Sequence, residues 1–107
     1  MLIHNEIFTI LSTDTGWTGS GEIKVNSSHK LNGMLKQLYV KSATSTTTFK
    51  IQLLDRSDRV VFDTEDFESG LCNKTNLETP LKDSVYTLRI YSSSAEENFD
   101  AFLGIEE

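Results

Sequence analysis

Along much of this chain, apolar residues recur at every second position, in short runs broken by polar turns. The clearest run is Phe49, Ile51 and Leu53, alternating with Lys50 and Gln52. Residues 55–58 (DRSD) then form a polar turn, and residues 59–63 (RVVFD) return as the second arm of a predicted hairpin. Tyr86, Leu88 and Ile90 alternate with Thr87 and Arg89. After a polar stretch over 92–98, Phe99, Ala101, Leu103 and Ile105 come back, which predicts a second hairpin. Alternation with a period of two places one row of side chains on one face of a strand, as a sheet with one buried face requires.

The remaining segments are less regular. Residues 4–12 (HNEIFTILS) are extended, with imperfect alternation, and predict either a docking arm or a first strand. Residues 13–21 hold Gly16, Gly19 and Gly21 around Trp17, the single tryptophan, and read as loop or bulge. Ile23 and Val25 mark a short strand. Leu31-Asn32-Gly33 carries turn chemistry and leads into the run MLKQLYVKS. The Ser/Thr tract over 42–48 suits an edge strand or a loop. Residues 64–83 predict a long irregular connection with a short helical turn or a minor strand near Leu71. Together these give seven or eight short strands with turns about every 8–12 residues, the pattern of an antiparallel β-sandwich. A jelly roll is one form it can take, and a flattened barrel is the alternative. Its predicted core is Phe49, Ile51, Leu53, Tyr86, Leu88, Ile90, Phe99, Leu103 and Ile105. Residues 1–12 are the arm or first strand, and 13–107 the single sandwich domain.

Composition agrees with this reading. The 107 residues include 12 Thr, 12 Ser, 7 Ile and 5 Val against 3 Ala, a bias toward side chains branched at Cβ and away from helix formers. The net charge of −6 disfavours a nucleic-acid partner, because that affinity rests on Lys and Arg neutralising phosphates. Charge is also uneven: residues 1–54 carry 5 basic and 3 acidic groups (+2), and residues 55–107 carry 5 basic and 13 acidic (−8), which sum to −6. A dipolar molecule or plain solubilising turns both follow from that split. Residues 1–11 lack the basic start and long apolar stretch of a signal peptide or membrane anchor, so no membrane association is expected.

Candidate chemistry is sparse. Cys72 is the only cysteine, so it forms no internal disulfide and reads as a reduced thiol of a protein made in the cytoplasm. The two histidines, His4 and His29, lie far apart in sequence, too few and too separated for a metal assignment. The acidic run Asp55, Asp58, Asp63, Glu65, Asp66 and Glu68 lacks the spacing of an EF-hand, and Asp in turns caps its own backbone. No catalytic residue, cofactor-binding residue or metal ligand is expected. Trp17 is either an exposed interface anchor or a cap over the end of the sandwich.

The segments LNGMLKQLYVKSATSTTTFKIQLLDRSDRVVFD (31–63) and PLKDSVYTLRIYSSSAEENFDAFLGIEE (80–107) resemble small β-sandwich accessory proteins encoded by tailed bacteriophages. The C-terminal pattern also resembles jelly-roll domains appended to secreted bacterial proteases, which the missing signal peptide weighs against. The phage resemblance implies a non-enzymatic virion protein on the capsid surface, made in the host cytoplasm. It would act as a decoration or cement protein bound to the major capsid protein or another virion protein, with a homo-oligomer also compatible. The alternative is a carbohydrate-binding module on a tail, neck or fibre, with Trp17 and Tyr91 or Tyr39 stacking on sugars. The apolar N-terminal run can add a strand to a partner's sheet, so the expected interface residues are Leu2, Ile3, Ile7, Phe8 and Trp17.

Overall fold

The computed structural model describes residues 3–93 and 97–107, and Leu2 lies outside them. Ten strands are described: β1 (Ile3–Ile10), β2 (Glu22–Asn26), β3 (Leu31–Ser42), β4 (Thr48–Leu54), β5 (Val60–Asp63), β6 (Glu68–Ser69), β7 (Leu71–Lys74), β8 (Thr79–Ser84), β9 (Thr87–Ser92) and β10 (Phe99–Glu106). They form two five-stranded antiparallel sheets packed face to face. In the first sheet β1 pairs β10, β10 pairs β3, and β3 pairs both β7 and β8. In the second β2 pairs β9, β9 pairs β4, and β4 pairs both β5 and β6. The architecture is therefore the antiparallel sandwich that the alternation predicts. The inward rows meet as expected: Phe49, Ile51, Leu53, Leu88 and Ile90 from the second sheet lie with Phe99, Leu103 and Ile105 from the first, all buried together with Tyr86.

Three local expectations are corrected. First, β9 and β10 are not a hairpin. β9 pairs with β2 and β4, whereas β10 pairs with β1 and β3, so the segment between them crosses from one sheet to the other. Alternation decides which side chains turn inward and is silent about the neighbouring strand, so both arrangements have the same pattern. Second, Leu31-Asn32-Gly33 is not a turn but the start of β3, a twelve-residue strand. At about 3.3 Å per residue, β3 runs the length of a molecule whose longest extent is 37 Å. The chemistry of Gly33 serves a bulge: its φ is +122°, and a Cβ there would collide with the Glu106 carbonyl oxygen. Third, the irregular stretch 64–83 holds three short strands, which raises the expected seven or eight to ten. β7, which starts at Leu71, is the minor strand anticipated there.

The β4–β5 hairpin forms as predicted, with Leu53 opposite Phe62. Asp55 Oδ1 accepts from the Ser57 and Arg59 backbone N–H groups at 2.8 and 3.0 Å, and Asp58 takes a positive φ of 62°. Both sheets draw strands from both halves of the chain, so the charge split at residue 54 does not map onto one sheet against the other. Residues 3–10 form an integral edge strand paired along their whole length with β10.

Candidate docking surface and histidine–carboxylate cluster

Because β1 alternates, it shows two different faces. Glu6, Phe8 and Ile10 turn inward and are buried, while Ile3, Asn5, Ile7 and Thr9 turn outward. Ile3 is 68% and Ile7 71% exposed. The cross-strand register extends this outer row over the sheet: Ile7 lies opposite Phe102, Phe102 opposite Tyr39, and Tyr39 opposite Asn73. The Tyr39 and Phe102 rings stack with centroids 5.0 Å apart and an interplanar angle of 18°. One row away, Thr9, Asp100, Lys41 and the exposed Leu71 line up in the same manner. The first sheet thus presents an apolar and aromatic strip with charges at its sides.

The outer edge of β1 has no strand beside it among the described residues. Sheet edges in soluble proteins usually carry charges or proline, or are kept short. The other edges here follow that rule. β2 has five residues with Glu22 and Lys24 outward, β5 has four, and β8 contains Pro80, Lys82 and Asp83. β1 has eight residues, and its outward row from Ile3 to Thr9 carries no charge.

The expected interface residues separate accordingly. Ile3 and Ile7 face outward on this edge. Phe8 points into the core and offers nothing to a partner, because its parity puts it beside Glu6 and Ile10. Trp17 is half-buried: its indole N–H donates to the Leu11 carbonyl at 2.9 Å, and its ring lies 6.1 Å from that of Phe99. It caps the end of the core.

Sequence separation hid a second feature. His4 is two residues before Glu6 and shares its inward face, and His29 arrives from the β2–β3 connection. His4 Nε2 stands 3.1 Å and His29 Nδ1 3.2 Å from the same oxygen, Glu6 Oε1. Glu6 Oε2 accepts from the Ser28 backbone N–H and from Ser28 Oγ–H, each at 2.8 Å. The two imidazoles meet edge to face with centroids 6.1 Å apart. Glu6 is only 2% exposed. Burial works to raise its pKa, but the hydrogen bonds from Ser28, His4 and His29 outweigh it and hold the carboxyl at about 2. The available signal was a carboxylate at an inward strand position with a histidine two residues away on the same face, since a buried charge requires partners.

The other candidates do not converge. Asp63 accepts from the Glu65 N–H and from Gln52 Nε2, Glu68 pairs with Lys74 at 2.8 Å, and Asp55 holds its own turn. Burial pushes the Cys72 thiol up to about 11, aided by the charge of Glu68, so it is a poor nucleophile. A shallow cleft of about 400 Å³ between Lys41, Ser45, Ser69 and Leu71 is lined by small hydroxyls and backbone.

No protein-family model and no curated protein matches the chain. Among solved structures, it is similar to the Yersinia pseudotuberculosis-derived mitogen, with 13% identity, TM-score 0.46, and coverage of 99% of this chain and 86% of that one. It also aligns with a chain of infectious bursal disease virus, Gt strain, with 12% identity, TM-score 0.31, and coverage of 95% of this chain and 33% of that one.

Proposed function

We propose that the protein is a non-enzymatic virion protein of a tailed bacteriophage, of the capsid decoration or cement type, which docks through the outer edge and face of β1. The observation that carries this reading is the eight-residue free edge of β1, whose outward row holds no charge, next to the Tyr39–Phe102 strip. A partner strand laid along that edge would take up its free backbone groups, while Ile3 and Ile7 supply apolar contact. The occupant is a sheet edge of the major capsid protein, and a weak contact of this kind gains strength when repeated over a symmetric shell.

Removing residues 1–11 is unsuitable as a test, because it would strip Phe8 and Ile10 from the core. Ile7→Lys places a charge on the free edge and leaves the interior intact. In co-sedimentation with particles that lack the protein, wild type and Lys24→Ala bind, and Ile7→Lys binds at least about tenfold more weakly. Equal occupancy for Ile7→Lys would sink the proposal. Self-association of the isolated chain in sedimentation velocity, lost in Ile7→Lys and without particle binding, would instead assign the edge to a homo-oligomer.

A carbohydrate-binding module is the second reading, favoured by the placement of Tyr39. Trp17 caps the core, and the Tyr91 ring is flanked by Lys50 and Arg89 at 5.2 and 4.7 Å, so Tyr39 is the aromatic left for a sugar. A glycan array signal lost in Tyr39→Ala would support it, and an empty array would remove it.

A further inference from the structure

We propose that His4, Glu6 and His29 form a binding site for a late first-row divalent cation of the zinc class, with His4 Nε2, His29 Nδ1 and Glu6 Oε1 as its ligands. One ligand atom from each of the three residues lies within 4.8 Å of the other two. Metal–nitrogen and metal–oxygen bonds of about 2.0–2.2 Å in a tetrahedron put neighbouring ligand atoms about 3.3 Å apart. The two nitrogen–oxygen separations of 3.1 and 3.2 Å already match that edge. His29 Nδ1 also lies 3.0 Å from Ser28 Oγ, a contact that it would exchange for the ion, and with 70% exposure its ring has room to close the remaining nitrogen–nitrogen gap.

Two further observations point to a ligand. The first is the outer support. Both hydrogen bonds from Ser28 fall on Oε2, which fixes the carboxylate and turns Oε1 toward the two rings, as metal-ligating carboxylates are held by their neighbours. The connection is itself anchored: Ser27 Oγ donates to the His29 carbonyl at 2.7 Å and accepts from the Tyr86 N–H at 3.1 Å. The second is charge. Glu6 is almost wholly buried, and among the described residues its charged or titratable partners are these two histidines, with no Lys or Arg in contact. A divalent ion adds positive charge beside this buried carboxylate. Two imidazoles and one carboxylate suit zinc-class ions, and the exposed side of His29 leaves a fourth position for water. The ion would tie the start of β1 to the β2–β3 connection and so brace the strand that carries the free edge, although this inference does not depend on the docking proposal.

The test uses the full tag-free chain, treated with chelator and titrated with zinc chloride by calorimetry, with the imidazole nitrogens followed by NMR. One zinc should bind per chain, shifting His4 Nε2 and His29 Nδ1. His29→Ala, at an exposed position, should retain the wild-type far-ultraviolet spectrum and lose at least about tenfold in affinity. Ser28→Ala should lose about 10–100-fold, the usual effect of removing a group that orients a ligand. Zinc should raise the Tm of wild type and leave that of His29→Ala unchanged. Absence of saturable binding below millimolar zinc, or binding that leaves both imidazoles and the His29→Ala affinity unchanged, overturns the assignment.

Discussion

The two sheets contribute matching inner faces and opposite outer ones. On the outside of the second sheet, polar side chains partner one another. Arg89 donates to Glu22 at 2.9 Å and to Gln52 at 3.4 Å, Gln52 donates to Asp63 at 3.0 Å, and Lys50 lies over the Tyr91 ring. The outside of the first sheet instead offers Ile3, Ile7, Phe102 and Tyr39, where the Tyr39–Phe102 stack and a Gln37–Asn73 hydrogen bond of 2.9 Å join neighbouring strands. A face whose polar groups are mutually satisfied has little to gain from a partner. A face of exposed apolar rows gains by being covered. This difference between the outer faces is the reason that the docking proposal is placed on the first sheet.

Substitutions can break or sharpen this contrast. The inner faces should respond alike: Leu53→Ala in the second sheet and Leu103→Ala in the first each remove a fully buried side chain, at a cost of about 2–5 kcal/mol in denaturant unfolding. A much smaller loss in one would mean that the sheets do not share a single core. Phe102→Ala should cost about 1 kcal/mol from the lost stacking and should weaken particle binding as well. Replacing Arg89 with Met should cost about 1 kcal/mol or less and leave particle binding unchanged. If Arg89→Met abolished binding, the assignment of faces would be reversed.

The smallest expected effect comes from protonating Asp63. The Glu65 N–H donated to Asp63 outweighs partial burial and, helped by Gln52 and Lys50, holds its carboxyl below the usual 3.8. A group whose pKa is lower in the folded state stabilises at pH above its unfolded value, and that contribution fades as pH falls through the folded one. Thermal melts from pH 5 downward should lose most stability through Glu6, from about pH 4.5 down, and a little more through Asp63 below about pH 3.8. Asp63→Asn should show a shallower decline than wild type.

Much of this arrangement was written in the alternation. Phe49, Ile51, Leu53, Leu88, Ile90, Phe99, Leu103 and Ile105 all turn inward because a period of two leaves them no other face. The partner of each strand was not legible, since β9 and β10 would show the same pattern in a hairpin or in opposite sheets. Gly33 was misread because a glycine for close backbone approach and a glycine for a turn look identical in one dimension. Ile3 and Ile7 are recognisable in the sequence as outward candidates, whereas Phe8 shares the parity of Glu6 and Ile10 and turns inward. The histidine cluster was hidden by the 25 positions that separate its two rings, a distance closed only by the pairing of β1 with β10 and by the path of the β2–β3 connection.

That pairing also has a temporal consequence. Residues 3–10 wait for residues 99–106 before they find their neighbour, so a nascent chain cannot complete the first sheet until residues 99–106 have left the ribosome. Such sequence-distant pairing makes for slow folding. Until β10 arrives, the apolar side chains of β1 stay unsheltered, and how long they do so is set by the time that synthesis takes between the two strands.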